Sequence, residues 1–518
     1  MERKRKLFFL TLMCIMFFQM TGLGKMTVCE ASGSGKYFTQ GKLYYRTISS
    51  NKVEVYGTRQ TTGTLKIPGY VTHKGKKYKV TRIADYTLYN QGKPVTEETA
   101  DGSSVAVDFA GYHYYRYDRK DKKSLPANVD YLSVSDITKV ILPGTLTYIG
   151  EGAFSGCTKL RTVEFAKRYK KLTIGKNAFG SNKIKTLTFP MGTYELKENA
   201  AGNAGTISIP ATVKKIGPGV VNAKTKKVII SKKNKNYKMK AGILYTKNER
   251  TLVGVSEAAK QTIKISGRTR KLGAKAFAGT KVKKVILNNK ITDIPKGAFY
   301  NCKKLVSVSG ANHIKTVKYA AFAGCPKLTA IGETSTLIRI ERAAFWGDNN
   351  LKLEIPESIR DIDVYAFSGT VSDTIVKLTV AQNNPVYSIQ NSLLIKNDGT
   401  AKTVMMQTAD VNKLIIPDTV TDVAVTLGGD KCNAVVFPAT LLSQEGKVNA
   451  AGGMIVYQGM TVPKLGEDYD IRVSNEKVTT VFVPAGTLQS YKKAIADVIM
   501  DRDDYDIWDI GDVVIKEN

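Results

Sequence analysis

The chain has 518 residues, of which 42% are hydrophobic, a composition typical of a folded protein with a buried core. It carries 78 lysines and arginines against 45 aspartates and glutamates, a formal net charge of +33, which favours anionic partners. Six cysteines are too few for a disulfide-stapled scaffold. The length fits either several domains or one long solenoid.

The N-terminus has the order of residues typical of a secretory signal peptide. Basic residues at 3–6 precede an apolar run at 7–20, and small residues surround Ala31. We predict that residues 1–31 are a signal peptide and that the mature protein is secreted or lies at the extracellular cell surface. The alternative is a retained membrane anchor, although the run is shorter than the roughly 20 residues that cross a bilayer. We expect no transmembrane segment after signal cleavage.

Residues 32–89 are predicted to form a β-hairpin N-terminal cap and a first repeat, and residues 90–130 an insertion. The insertion contains a cluster of tyrosines. Their rings could stack on sugars or a protein, or they could cover the edge of the first repeats. The tyrosines that we consider candidates for ligand binding are Tyr112, Tyr114 and Tyr115.

An Ala-Phe pair then recurs along the chain. Its phenylalanines are Phe154, Phe179, Phe277, Phe299, Phe322, Phe345 and Phe367. The last five follow one another at intervals of 22, 23, 23 and 22 residues, a period typical of a stacked solenoid. A branched aliphatic residue precedes most of these alanines by four positions, which predicts a turn or short helix on the convex side with Phe as its buried residue.

A short strand is predicted after each Ala-Phe segment. In residues 282–287 the alternation has period two, so Val285 and Leu287 should face the core while Lys284 and Ile286 face outwards. Proline often follows such a strand directly and should end it, because proline has no N–H for the next hydrogen bond. Strands stacked about 4.8 Å apart would form a parallel sheet.

These units resemble the BspA-like class of bacterial leucine-rich repeats. The resemblance rests on the order of motifs: Cys-x-x-Leu opens a strand, and Ile-Gly-x-x-Ala-Phe forms the corner, as in residues 149–154. Residues 236–245 and 384–395 are similar to the hairpin insertions of that family, and residues 481–493 to its closing strand and helix. The resemblance covers most of residues 36–510.

The resemblance implies an α/β repeat solenoid. This would be a leucine-rich-repeat right-handed superhelix with a parallel β-sheet on its concave face. We therefore predict a solenoid over residues 131–380 with a hairpin insertion near 234–256. Residues 381–518 would hold the second hairpin insertion, degenerate repeats and a C-terminal cap.

The positive charge is concentrated in one block. Residues 159–290 contain 32 lysines and arginines against 5 aspartates and glutamates, a net charge of +27, whereas residues 291–518 have a net charge of −4. Such a block attracts polyanions; the alternative is a solvated face that serves only solubility. The candidate ligand-binding residues are Lys226, Lys227, Lys283 and Lys284 with their apolar neighbours Ile229 and Ile286.

Nothing in the sequence predicts a metal, a cofactor or catalysis. Three histidines are scattered along the chain, no catalytic motif is present, and the acidic residues 501–512 fit a solvated tail better than a calcium loop. Cys302 and Cys325 occupy the same place in consecutive repeats, where Thr280 and Asp348 stand in other repeats. That place accepts small polar residues, and a cross-repeat disulfide stays open.

The sequence thus predicts a non-enzymatic, adhesin-like binding protein, secreted or surface-attached and monomeric. Its partners would be host extracellular or bacterial surface proteins, as the resemblance implies, or an anionic glycan or wall polymer; nucleic acid is disfavoured because the protein is exported. The alternatives are a structural envelope component held electrostatically to anionic wall polymers and, less favoured, a solenoid-linked enzyme.

Overall fold

A computed structural model of the protein describes residues 37–85, 87, 97–98, 104–106, 115–117, 136–310, 312–348, 350–367, 377–429, 431–450, 453–466, 469, 471–472, 479–500 and 513–517. The predicted signal peptide, Tyr112, Tyr114, the acidic residues 501–512 and most of the predicted insertion lie outside these residues. Tyr115 lies in a short strand, and its backbone alone is described.

The described residues form β-strands with almost no helix. Up to the predicted insertion and within it, the strands are β1 (Tyr37–Gln40), β2 (Leu43–Ser49), β3 (Lys52–Thr58), β4 (Thr62–Lys66), β5 (Tyr70–His73), β6 (Lys76–Ile83), β7 (Glu97–Glu98), β8 (Ser104–Ala106) and β9 (Tyr115–Tyr117). The next are β10 (Asp136–Leu142), β11 (Tyr148–Ile149), β12 (Thr162–Phe165), β13 (Arg168–Ile174), β14 (Thr186–Thr188), β15 (Met191–Leu196), β16 (Thr206–Ile209), β17 (Lys215–Ile216), β18 (Lys227–Ile230), β19 (Tyr237–Lys240), β20 (Ile243–Thr246) and β21 (Thr251–Val255).

The remaining elements continue to the end of the chain. They are β22 (Thr262–Lys264), β23 (Lys271–Leu272), β24 (Lys284–Ile286), β25 (Asp293–Ile294), β26 (Ser307–Ser309), β27 (Thr316–Val317), β28 (Arg339–Ile340), β29 (Lys352–Ile355), β30 (Asp361–Ile362), β31 (Lys377–Val380), β32 (Tyr387–Gln390), β33 (Leu393–Asn397), β34 (Lys402–Gln407), β35 (Lys413–Ile415), β36 (Asp422–Val423), β37 (Leu427–Gly429), β38 (Ala434–Phe437), β39 (Ser443–Gln444), β40 (Val448–Ala450), β41 (Met454–Tyr457), β42 (Lys464–Leu465), β43 (Ile471–Arg472), β44 (Thr479–Val483), α1 (Leu488–Met500) and β45 (Val513–Glu517).

These elements build a parallel β-solenoid of about 16 turns. One side of the solenoid is made of five parallel sheets, β4-β10-β12, β14-β16-β18, β22-β24-β26, β29-β31 and β35-β38-β41-β44-β45. We call the outward side of these sheets the strand face. A second side carries shorter strands such as β25, β27, β28 and β30, which also pair in parallel. The Ala-Phe segments form the corner between the turns of the second side and the following strand of the first.

The predicted α/β class is corrected by this finding, because among the described residues the Ala-Phe corners are turns and α1 is the α-helix of the C-terminal end. In the corners from Phe154 to Phe345, the residue before the alanine has a positive φ, as at Gly297 (58°), Ala320 (50°) and Ala343 (55°), and a second left-handed residue follows four positions later. A right-handed helix needs negative φ at every position. The spacing of four residues, which also fits a helix, here belongs to a turn.

Corner turns of successive repeats are joined by backbone hydrogen bonds. Phe277 N–H donates to the Ala298 carbonyl at 2.8 Å, and Phe322 N–H donates to the Ala344 carbonyl at 2.8 Å. The phenylalanine rings consequently stack in a continuous column from Phe277 to Phe367, with centroid separations of 4.7, 5.0, 5.4 and 5.5 Å. The prediction that this Phe is buried in every repeat is confirmed. The column is the centre of the core between residues 243 and 406.

The strand prediction is also confirmed. Val285 and Leu287 are buried, whereas Lys284 and Ile286 are exposed. β10, β16, β29, β38 and β44 each end at the residue before a proline. Proline therefore ends these strands at one register, as its missing N–H requires.

A three-stranded antiparallel unit occurs three times. It consists of β1-β2-β3, β19-β20-β21 and β32-β33-β34. In each unit the third strand then pairs in parallel with a strand of the second side. The second and third units lie at the predicted hairpin insertions, and the hydrophobic core passes from one cluster to the next at these positions.

The recurrent cysteines lie buried at the turn after each corner. Cys302 Sγ donates a hydrogen bond to the Phe277 carbonyl at 3.0 Å, and Cys325 Sγ donates to the Phe299 carbonyl at 3.1 Å. All four described cysteines are free thiols. This place accepts a small polar side chain, which in the two cysteines donates to the previous turn, and a disulfide is absent among the described residues.

Candidate binding surface

The lysines singled out by the sequence lie on or beside the strand face. Lys227 and Lys284 occupy the first outward position of β18 and β24, and Ile229 and Ile286 occupy the second. The two isoleucines are 46% and 38% exposed. Lys226 and Lys283 immediately precede these strands and are also exposed. The alternation of the two strands places Lys227, Ile229, Lys284 and Ile286 on the solvent side.

The candidate residues around β18 and those around β24 do not belong to one continuous sheet. β18 ends the sheet β14-β16-β18, and β22 begins the sheet β22-β24-β26. The antiparallel unit β19-β20-β21 is inserted between them in the chain. Ser256–Gln261 returns from that unit, and Glu257 N–H donates to the Thr225 carbonyl at 2.9 Å. A cavity of about 20 Å³ lies at this break and is lined by residues that include Glu257 and Lys281.

Glu257 interacts with lysines from both sides of the break. Lys281 Nζ lies 2.9 Å from Glu257 Oε1. This hydrogen bond, followed by the charges of Lys281, Lys226 and Lys224, lowers the pKa of Glu257. The structure therefore brings Lys226 and Lys281 to one carboxylate. Lys227 and Lys284 lie instead in separate sheets.

The sequence analysis missed three lysines that extend the row on the strand face. Lys352, Lys377 and Lys413 stand at the first outward position of β29, β31 and β35, and all are exposed. Lys352 and Lys377 are direct cross-strand partners. They escaped notice because the net charge of residues 291–518 is −4. Lysine as the first strand residue before an inward leucine would have revealed them.

The lysines at the first outward strand positions have no acidic partner on the described strand face. Among the residues that the structure describes, none of Lys227, Lys284, Lys352, Lys377 and Lys413 forms an ion pair. Near the N-terminal end the same face is different, because Lys139 is paired with Glu164 at 2.5 Å. The lysines without an ion pair therefore lie on a different part of the strand face from this paired lysine.

The C-terminal end of the strand face is apolar. Ile415 and Met454 are 46% and 42% exposed. Ile415 is the cross-strand partner of Val436, which pairs with Val456, and Phe482 continues the same row. Cationic and apolar chemistry thus follow one another along a single face.

Two cavities among the described residues are small. A second cavity, of about 10 Å³, lies in the core beside Phe322, and volumes of this size hold a water molecule at most. Within the described ranges, no group of three or more His, Cys, Asp and Glu residues could hold a metal ion. His73 is stacked on Phe38 with ring centroids 4.2 Å apart, which is a packing role.

No helix in the described part of the chain is long and apolar enough to cross a membrane.

The stacked parallel strands, the phenylalanine column and the exposed outward strand positions define a leucine-rich-repeat solenoid. The model of the BspA-type leucine-rich repeat region matches six copies in this chain, over residues 128–242 and 261–397. The chain belongs to the BspA-type leucine-rich-repeat proteins, as the resemblance of its motifs implies.

Several solved structures are similar to this chain. One is a leucine-rich cell surface protein of Faecalibacterium prausnitzii, with 21% identity over 68% of this chain and 97% of its own, and a TM-score of 0.42. Another is the pneumococcal vaccine antigen PcpA, with 15% identity over 93% of this chain and 99% of its own, and a TM-score of 0.40. A third is a leucine-rich repeat protein of Eubacterium ventriosum, with 18% identity over 68% of this chain and 100% of its own, and a TM-score of 0.38. No curated protein matches the chain.

Proposed function

We propose that this protein is a non-enzymatic, secreted or surface-attached binding protein that captures an anionic polymer along the strand face. The observation that supports it best is the recurrence of exposed, unpaired lysines at one position of stacked strands. The predicted signal peptide and the membership of a bacterial repeat family support the location. In this proposal the strand face is the concave side of a right-handed superhelix, and the protein acts as a monomer.

The lysines of the strand face lie along a line that one extended polymer could follow. Lys284 pairs with Ser307, which bridges to Ala330, and Lys352 and Lys377 belong to the next two strands. Lys284 and Lys377 are therefore four strand intervals apart, about 19 Å. A polymer lying along the solenoid axis meets a lysine repeatedly. A sulfated glycan or a poly(glycerol phosphate) wall polymer carries repeated negative charges along its length.

Electrostatic capture predicts a steep dependence on salt, because the Debye length is only about 8 Å at physiological ionic strength. We would measure binding to heparin and to poly(glycerol phosphate) from about 50 to 500 mM salt. The variant Lys284→Gln, Lys352→Gln, Lys377→Gln should lose about tenfold or more in affinity at low salt.

A matched control has the same change in net charge. Lys170, Lys233 and Lys247 are exposed lysines that lie off the strand face, and their replacement by glutamine should change the affinity much less. Equal losses in both variants would mean that net charge alone attracts the polymer. An affinity that does not change with salt concentration would contradict the proposal.

A protein partner is the second candidate, and the apolar C-terminal end of the strand face favours it. Exposed apolar patches of this kind mark interaction sites. Ile415→Glu with Met454→Glu should abolish capture of such a partner while leaving polymer binding intact. The envelope-component alternative differs only in the identity of the polymer, and purified cell wall compared with host glycans would separate the two.

A further inference from the structure

Four consecutive Ala-Phe corners carry aromatic residues that the repeat does not need. The residue after the phenylalanine is Tyr300 in one turn and Trp346 in another. Other turns have Ser155, Gly180 or Ala278 at that place and fold into the same corner. Because a small residue suffices at that place, the corner itself does not require the rings of Tyr300 and Trp346. Trp346 is 44% exposed.

The aromatic residues lie on one surface with a floor of small residues. Ala320, Ala323 and Ala343 form a small buried cluster, against which Tyr300 and Tyr319 pack. Tyr365, in the last of the four turns, is 37% exposed. We call the surface formed by these rings and the two cations beside them the aromatic shelf; its members are Tyr300, Tyr319, Trp346, Tyr365, Lys296 and Arg342.

Both cations are held over rings of the shelf. Lys296 Nζ lies 4.7 Å from the centroid of the Tyr319 ring, and Arg342 Cζ lies 4.5 Å from the centroid of the Tyr365 ring. Such contacts fix a cation beside an apolar surface. In sequence, Lys296 precedes Tyr300 by four residues and Arg342 precedes Trp346 by four. A cation four residues before an aromatic residue therefore occurs in two turns that lie about 10 Å apart along the solenoid.

The shelf is too small for a protein interface. It covers three intervals between turns, about 15 Å along the axis, and the five residues of a corner reach at most ~17 Å across it. Its area is thus on the order of 250 Å² or less, whereas a stable protein partner covers about 800 Å² on each side. One or two flat rings fill such an area. The two cations beside it favour an anionic ligand.

We propose that the aromatic shelf is a second binding site, specific for a glycan whose alternate sugar rings carry a carboxylate. The apolar C–H face of one sugar ring stacks on Trp346, which offers a flat ring with a polar tip. The sugar carboxylate accepts hydrogen bonds from the Arg342 guanidinium, whose fork matches that group. Lys296 and Tyr300 take the next acidic sugar. This site lies on the corner and is separate from the strand face.

Isothermal titration of the full-length protein with a hyaluronan hexasaccharide, which has a glucuronate at every second ring, tests the proposal. Its methyl-esterified form is the uncharged comparison. Wild-type protein should bind the acid and discriminate against the ester. Trp346→Ala should weaken binding by about tenfold, and Trp346→Phe, which keeps a flat ring, should retain most of it.

Arg342→Gln separates charge recognition from stacking. We expect it to lose most of the preference for the acid over the ester while still binding the ester like the wild type, a result that a purely structural role would not give. The variant Lys284→Gln, Lys352→Gln, Lys377→Gln should bind the hexasaccharide like the wild type, so that failure of this proposal and of the strand-face proposal are distinguishable. The proposal is overturned if wild type does not bind the hyaluronan hexasaccharide at millimolar concentration, or if Trp346→Ala binds it as well as the wild type.

Discussion

Asp348 provides a sharp test of how the corner turns are held together. It occupies the cysteine position of its repeat and is fully buried. Cys325 N–H donates to Asp348 Oδ1 at 2.6 Å, but Oδ2 has no hydrogen-bond partner among the described residues. Burial raises the pKa of Asp348 from its ordinary value of 3.8 to about 8. In the folded protein this carboxyl is therefore protonated at neutral pH.

The equivalent residues show what an uncharged donor does at this place. Asn182 Nδ2 donates to the Phe154 carbonyl of the preceding turn at 3.0 Å, as Cys302 and Cys325 do through their thiols. We expect Asp348→Asn to make the same bond to Phe322. The substitution should leave the corner intact and remove the cost of a buried, titratable carboxyl.

The magnitude follows from the difference between folded and unfolded pKa values. The folded state holds a proton that the unfolded state loses above about pH 4, so stability falls as the pH rises from about 4 to 8. Each pH unit in that window removes up to about 1.4 kcal/mol, on the order of 5 kcal/mol in all. Asp348→Asn removes this dependence. The variant should therefore gain several kcal/mol over wild type between pH 4 and pH 8.

Urea unfolding of both proteins at intervals from pH 4 to pH 8 measures this difference, and other titrating groups cancel in it. Asp361→Asn is the control, because Asp361 is an exposed carboxylate paired with Arg339 at 2.9 Å, and such pairs contribute about 1 kcal/mol or less. A difference between wild type and Asp348→Asn that stays constant with pH would refute a buried, protonated Asp348.

Three further predictions concern the core, the thiols and the second antiparallel unit. Phe322→Ala removes a fully buried ring whose centroid lies 5.0 and 5.4 Å from those of its neighbours, and it should lower the free energy of unfolding by about 3–5 kcal/mol in chemical denaturation. Phe322→Leu should lower it by less than half of that. Equal, small losses in both variants would mean that the column is loosely packed. After denaturation without reductant, Cys157, Cys302, Cys325 and Cys432 should all react as free thiols, and a Cys302–Cys325 disulfide found by peptide mapping would contradict the structure. A hydrogen bond from Lys238, then one from Ser266, lowers the pKa of buried Glu249 to about 2, so the stability that Glu249 contributes should be present above about pH 4.5 and be lost as the pH falls towards 2. Glu249→Gln should therefore be less stable than wild type at pH 7 but equally stable near pH 2. A loss of stability that persists at pH 2 would argue against the ion pair.

The core of this fold follows from the sequence because its determinants are local and periodic. The return of Ala-Phe every 22 or 23 residues requires stacked turns, and the stacking of Phe299 on Phe322 is a direct consequence. The period-two alternation around Val285 fixes which side of the strand is buried. These features need no information about distant contacts beyond the repeat itself.

The shape of the corner could not be predicted from spacing alone. Residues four apart share one side of a helix, but they also share one side of a turn that contains two left-handed residues. Gly297 with Asn301, and Ala320 with Gly324, are such pairs. Glycine and asparagine at these positions in several repeats were the available signal, since both tolerate positive φ. The alanine and lysine found there in other repeats concealed it.

The row of exposed lysines on the strand face was predicted only in part, for a different reason. Net charge counted over a region says nothing about which side of a strand a lysine occupies. Lys226 lies in the most basic region, yet its charge acts on Glu257, whereas Lys352 and Lys377 lie in an acidic region and still face outwards side by side. The break between β18 and β22 depends on where the antiparallel unit enters the solenoid, which the repeat period does not encode.

The most direct test of the proposed function is lysine footprinting of the wild-type protein with and without poly(glycerol phosphate). Acetylation at low salt, read out by mass spectrometry, reports which lysines the polymer covers. We predict strong protection of Lys284, Lys352 and Lys377, with Lys170, Lys233 and Lys247 unchanged. Protection spread evenly over all exposed lysines, or confined to residues off the strand face, would contradict a binding site on that face.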